Sequence, residues 1–296
     1  MTSHTSRPPP SVYNTSSFKL AIVVSIVRIN LPCDSFVFME GVQTLTSSSI
    51  NSVRLLADPG RSTHIGADAN LTGPLLSLLT TEIEFDFVDA PSIGAPAPGI
   101  EEMFKSPPYF VWNRCYEPRE VSKVHDYVRG VQAQRGPYDG VIGFSEGAAL
   151  AAALLLEDAS NIDRRHNPMF RFAVFVNAVN LISPSAKLGK KLSEDEARNM
   201  MDAFSGGPNK HRYPALDCVY ALCAKTVPAL INIPTLHIIG MRDKFRDCSK
   251  DLVKLCEGGL ATTVRSPAEH EMPRGQALKE MARKLDMMIE AECMAI

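Results

Sequence analysis

The sequence predicts an α/β fold, a mostly parallel sheet with helices packed on both of its faces. Three observations predict it. Short runs rich in β-branched and aromatic residues recur along the chain and are mostly apolar, as strands covered on both faces must be. Between most of them lie segments whose apolar residues return every three or four positions, the period of a half-buried helix. One run also passes through Gly143-Phe144-Ser145-Glu146-Gly147 directly into a helix of small residues, Ala148 to Leu154.

The strand runs fall at 18–29, 84–89, 139–144, 172–179 and 235–240, with a weaker one at 261–265. The first contains Leu20 to Val27, too short to span a bilayer and flanked by Lys19 and Arg28. A polar Ser/Thr/Pro leader precedes it and no small-residue cleavage site follows, so it reads as a buried strand rather than a secretory signal. Residues 1–17 read as a disordered tail. Helical spacing places Val121, Val124, Val128 and Val131 on one face of 118–132. It places Leu252 and Leu255 on one face of 246–256, and Leu278, Met281, Leu285 and Met288 along 276–289. Core packing accounts for that methionine stripe better than a cofactor box does.

Two regions break the alternation. Residues 30–73 are rich in Ser, Thr and Asn without clear periodicity. Residues 182–230 hold a helix at 193–204, a Gly-Gly-Pro turn and an apolar stretch at 220–230. An insertion there would overlie the strand ends as a candidate lid; a surface excursion without function is the alternative. The organisation expected is therefore a tail at 1–17 and a single α/β domain over 18–296. Within that domain 18–73 is divergent and 182–230 is the candidate lid insertion.

Composition narrows the function. Hydrophobic residues make up 45% and charged residues 22%, ordinary for a soluble globular chain. A net charge of −2 gives no electrostatic reason to expect nucleic acid or an anionic membrane as partner. The seven cysteines are odd in number, scattered and without a C-x-x-C pair, which argues against a disulfide framework or a zinc site. Reduced thiols in the cytoplasm fit best.

Strand, Gly-x-Ser-x-Gly, helix is the setting of a nucleophile elbow, the turn of an α/β-hydrolase-like fold. Glycines on either side of the serine remove side chains that would collide with strand and helix. The turn raises Oγ above the sheet edge and aims the first N–H groups of the helix at the same point, where the helix dipole favours an oxyanion. Chance alone would give roughly 0.1 such patterns in a chain of this length. The alternative is an ordinary turn with a capping serine.

A neutral serine needs a base, and histidine titrates near working pH. Of seven histidines, His4 lies in the tail, while His166 and His211 lie in polar stretches. His64 is in the unassigned region, His125 is on a helix, and His237 is inside a strand as a core histidine. His270 follows the last strand in the loop 266–274, just before the final helix. Asp243 follows the run 235–240 at its carboxyl end and suits the acid that orients His270, completing the chain order Ser, Asp, His. Asp247 is the second choice for the acid, and a helix N-cap is the alternative role for Asp243.

Further motifs accompany these: Phe87-Val88-Asp89-Ala90-Pro91, Pro96-Ala97-Pro98-Gly99-Ile100, Tyr109-Phe110-Val111-Trp112, Gly143 to Ala148, Ile233 to Asp243 and His270-Glu271-Met272-Pro273-Arg274. Their order resembles the fungal family of serine hydrolases (FSH), a compact α/β-hydrolase family, over roughly residues 70–290. The resemblance implies Ser145 as nucleophile, Asp243 as acid and His270 as base, with the Glu146 backbone N–H holding the oxyanion. It implies an esterase or thioesterase without metal or organic cofactor, some members of which release acyl chains from a polyketide synthase. A small-molecule ester or acyl-thioester is then the substrate and an acyl carrier protein a candidate partner. Tyr109, Phe110 and Trp112 are candidates for the acyl-pocket wall, with packing as the equal alternative.

The start of the chain departs from the family. Members carry Leu-His-Gly after the first strand and then a loop that completes the oxyanion hole; here Asn30-Leu31-Pro32-Cys33 follows, and Gly60 to His64 is a faint substitute. A degenerate hydrolase that binds an acyl ligand or partner without turnover therefore stands beside the hydrolase reading, and serine hydrolase chemistry also permits an acyltransferase.

Overall fold

The structure is a computed structural model and describes residues 18–24, 73–81, 83–94, 109–204, 213 and 215–294. The expected tail at 1–17, the end of the first run at 25–29 and nearly all of the unassigned region, with Gly60 and His64, lie outside them.

In chain order the elements open with β1 (Phe18–Val24), β2 (Ile83–Val88), β3 (Ser92–Gly94) and β4 (Tyr109–Val111). Then come α1 (Pro118–Arg135), β5 (Gly140–Phe144), α2 (Glu146–Ala159), β6 (Phe172–Val176), β7 (Ile182–Ser183) and β8 (Lys190–Lys191). The remainder are α3 (Glu194–Phe204), β9 (Tyr220–Ala221), β10 (Thr235–Gly240), α4 (Arg246–Val253), β11 (Ala261–Ser266) and α5 (Gly275–Met294).

Six strands pair in the order β11-β10-β6-β5-β1-β2, every pair parallel. This is the predicted α/β-hydrolase sheet. The chain runs outward from β1 to β2, returns to β5 on the other side of β1, and then proceeds to β6, β10 and β11. Direction thus reverses between β1 and β5, and ligands of open α/β sheets bind at such a switch, beyond the carboxyl ends of the strands.

Alternation along the buried strands splits the core into two layers. Val141, Ala173 and Phe175 face a cluster built on α1 and α2 that also takes in Trp112. Ile142, Phe172, Val174, Val176, Leu236 and Ile238 face the opposite cluster, where α5 supplies Leu278, Met281, Leu285 and Ile289. The predicted stripe on the last helix is therefore core. Helix α2 is buried almost all round, from Gly147 to Leu156, because it is central in its layer; its alanines permit close approach to the sheet.

Element bounds depart from the sequence reading where local chemistry intervenes. Strand β6 stops at Val176, short of the expected 179, because Asn177 has φ 48° and turns the chain. Helix α3 begins with a reciprocal capping box: Glu196 N–H donates to Ser193 Oγ (3.2 Å) and Ser193 N–H to Glu196 Oε2 (2.8 Å). Helix α4 ends early as its last turn tightens to i to i−3 bonds, Lys254 N–H to Asp251 O and Leu255 N–H to Leu252 O.

The described residues of 182–230 have structure of their own. Strands β7, β9 and β8 form a small antiparallel sheet. Ile182, Ala197, Met200, Leu216 and Val219 make a third cluster with Tyr116 and Val121 at the start of α1. Helix α3 ends against the loop after β10, where Lys244 Nζ donates to the Ala203 carbonyl (2.7 Å).

Candidate active site

Ser145 joins β5 to α2 with φ 56° and ψ −120°. A side chain pays about 1–3 kcal/mol to occupy such backbone, so the surroundings must hold it there. Ser145 N–H donates to the Val176 carbonyl (2.9 Å), and the Ser145 carbonyl accepts the first helical bond, from Ala149 N–H (3.1 Å). A Cβ on Gly143 would stand 2.5 Å from Ala148 Cα and 2.7 Å from the Gly147 carbonyl carbon. Only glycine lets α2 start so close to β5. The N–H of Glu146 heads the helix, at the positive end of its dipole.

The structure brings the three predicted residues together. His270 Nε2 is 2.8 Å from Ser145 Oγ, and His270 Nδ1 is 2.8 Å from Asp243 Oδ2. The Asp243 side chain has no exposed surface, and its Oδ1 accepts the Phe245 N–H (2.8 Å). The carboxylate is thus held on both oxygens. Asp243 does make the N-cap-like contact that the sequence left open, yet with the oxygen that His270 does not use. Asp247 instead meets Lys250 at 3.1 Å, with its side chain 80% exposed.

The His270 ring lies between two phenylalanines, with centroids 5.2 Å from Phe144 and 5.1 Å from Phe245. Phe245 in turn packs on Phe204 at the end of α3 (5.6 Å), and Phe204 on Tyr116 (5.9 Å). The end of α3 therefore reaches the site through aromatic rings. Trp112 is wholly enclosed in the core beside Tyr127 and Tyr109 is buried, while Phe110 packs half-buried on the same cluster. For Trp112, packing leaves no surface to offer a ligand.

The other histidines have separate roles. His237 is buried on the α1/α2 side of β10 against Phe175, with Nε2 3.1 Å from Thr235 Oγ1, and burial pushes its pKa down to about 4. His125 Nδ1 meets Glu157 Oε1 at 2.9 Å, between α1 and α2.

Sequence reasoning missed Asn113 and Tyr116. Asn113 Nδ2 (2.9 Å) and Tyr116 hydroxyl (3.0 Å) both donate to Glu146 Oε1, beside the elbow. Burial, then the Glu146 charge and hydrogen bond, raise the Tyr116 phenol well above its ordinary pKa, so it remains a donor. The only sequence signal was their place just beyond the Tyr-Phe-Val-Trp motif.

Residues 67–282 match the family model described as serine hydrolase (FSH1). The chain belongs to the FSH1 serine hydrolase family. It is 28% identical over 211 residues to "Esterase FPY3" of Fusarium mangiferae, covering 70% of this chain and 82% of that protein. It is 26% identical to "Esterase pigG" of Monascus ruber, covering 79% of this chain and 90% of the relative. A solved thermostable esterase from Pseudomonas putida resembles it at 14% identity and a TM-score of 0.45, over 93% of this chain and 74% of that one. Membership makes hydrolysis the activity and a small-molecule ester the substrate class. No helix among the described residues is long and apolar enough to cross a membrane.

Proposed function

We propose that this FSH1-family chain is a serine esterase or thioesterase that works through an acyl-enzyme, with Ser145 as nucleophile, His270 as base and Asp243 as acid. The observation that carries it is the pair of 2.8 Å contacts made by the two nitrogens of His270. With Nδ1–H donated to Asp243, Nε2 is left as the acceptor for the Ser145 proton.

As Oγ attacks the ester or thioester carbonyl, the hydroxyl proton passes to Nε2. The developing oxyanion is met by the Glu146 N–H and the positive end of α2. Collapse breaks the bond to the alcohol or thiol, which takes the proton from Nε2. Water then gives its proton to His270, attacks the acyl carbonyl and releases the acid as Ser145 recovers its own proton. Asp243 stabilises the imidazolium in both halves without itself being protonated.

The insertion at 182–230 is assigned the lid, with Phe204 and Phe245 as an apolar wall for the acyl group; their packing toward His270 supports this. The fungal relatives are named esterases, which supports ester cleavage; we extend this to secondary metabolism, where release of an acyl chain from an acyl carrier protein of a polyketide synthase would suit a thioesterase. The free thiols of Cys115, Cys218, Cys223, Cys248 and Cys256 favour the cytoplasm.

A fluorophosphonate probe tests the reading. The wild-type chain should be labelled once and hydrolyse p-nitrophenyl esters, and Ser145→Ala should lose both. Labelling that persists in Ser145→Ala, or its absence from the folded wild type, overturns the assignment.

A further inference from the structure

Ser145 and His270 follow strands that are not neighbours. Ser145 follows β5 and His270 follows β11, with β6 and β10 between them. At about 4.8 Å per strand, His270 must cross about 14 Å of sheet edge to reach Oγ. The loop 266–274 therefore has to fold back over the ends of β10 and β6, and something on those ends must set its height.

Asn177, the first residue past β6, is at that place. It is 1% exposed and holds φ 48°, a conformation asparagine tolerates better than most residues. Its Oδ1 accepts the Gly240 N–H at the end of β10 (2.8 Å). Its Nδ2 donates to the Glu271 carbonyl (2.7 Å) and, more weakly, to the Glu269 carbonyl (3.4 Å). One amide thus grips the residues on either side of His270 and anchors them to the strand that leads to Asp243.

Gly240 completes the arrangement. A Cβ there would stand 2.5 Å from the Glu269 carbonyl oxygen and 3.1 Å from Asn177 Oδ1, so the loop rests directly on bare backbone. The two loops are also bonded to each other: Met241 N–H donates to Ser266 O (2.8 Å) and Arg242 N–H to Ala268 O (3.1 Å). Those bonds end before His270. From Glu269 to Glu271, the bonds to Asn177 locate the backbone.

We propose that Asn177 is a positioning residue that sets the reach of His270 to Ser145 and Asp243. The inference rests on the triad reading for its catalytic consequence, but its structural content can be read without catalysis.

The test uses two variants of the full chain. Asn177→Asp keeps size, the Oδ1 acceptor and tolerance of positive φ, but turns an oxygen toward two carbonyls. Asn177→Gly accepts the φ and removes the amide. In both, kcat per fluorophosphonate-titrated site should fall about 10- to 100-fold with KM within about 3-fold, the signature of a base displaced by a fraction of an ångström. The downfield proton resonance of the His270–Asp243 hydrogen bond, assigned by its loss in His270→Ala, should shift or broaden in both. If either folded variant keeps that resonance and its kcat per titrated site, Asn177 is only a structural residue and the proposal is overturned. Activity that survives Ser145→Ala would instead remove the triad reading, while the resonance would still decide for or against Asn177.

Discussion

Gly143 passes so near the start of α2 that a methyl group on it would stand 2.5 Å from Ala148 Cα and 2.6 Å from its nitrogen. Both are backbone atoms of a buried helix and cannot rotate away. Gly143→Ala must therefore push α2 off β5 and turn Ser145 from its place. The expected cost is about 2 kcal/mol of stability, in the range for overpacking a core. Fluorophosphonate labelling should slow by at least about 100-fold. A urea melt together with labelling kinetics checks both; unchanged labelling in a folded variant would mean that the elbow absorbs the methyl.

The Glu146 carboxylate belongs to the residue whose N–H is proposed to hold the oxyanion, and Asn113 and Tyr116 both donate to its Oε1. Hydrogen bonds to a charged group contribute about 1.5–3 kcal/mol, and removing one leaves negative charge less compensated near the site. Tyr116→Phe should lower kcat/KM about 10-fold. In Glu146→Ala, which keeps the backbone N–H, the same change should matter much less, giving a coupling energy of about 1–2 kcal/mol in the double-mutant cycle. Simple additivity would show that the hydroxyl acts through packing on Phe204 instead.

His237 makes stability depend on pH. Burial lowers its pKa to about 4, from an ordinary value of about 6.5, so the folded chain holds it neutral while the unfolded chain protonates it. Between those values the unfolded state binds more protons, and stability rises with pH. The contribution is complete above about pH 6.5 and fades as pH falls toward 4, by roughly 3 kcal/mol at most. Urea melts of wild type and His237→Gln at pH 7.5 and pH 4.5 check this: the difference between them should shrink or reverse at the lower pH. A difference constant with pH would mean that the imidazole is accessible to protons when folded.

Ser145, Asp243 and His270 were legible because each follows a recognisable apolar run, and a parallel sheet brings such positions to one edge. Asn177 was not. In Phe172-Ala173-Val174-Phe175-Val176-Asn177-Ala178-Val179 it reads as a polar interruption of a longer strand, and only the crossing of loop 266–274 gives it a task. The three-residue pairing of β3 with β4 was equally hidden, since so short a ladder carries little periodicity. For Trp112 the sequence left a pocket wall and core packing equally open, because a large apolar ring suits either; its side chain is fully buried in the core.

Phe204 offers a test of the lid. Its ring is the last of α3, packed on Phe245 at 5.6 Å and on Tyr116 at 5.9 Å, and Phe245 packs on His270 at 5.1 Å. If Phe245 and Phe204 wall the acyl site, truncating Phe204, the one farther along the row from His270, should affect long acyl chains and spare short ones, because methylene contacts are each worth about 10-fold or more in specificity. Phe204→Ala should lower kcat/KM for p-nitrophenyl octanoate about 10-fold while that for the acetate stays within about 3-fold. An equal fall for both esters would show that Phe204 braces Phe245, and through it His270, without meeting substrate. Unchanged values for both would detach the insertion from the chemistry altogether and leave it the surface excursion that its sequence also allowed.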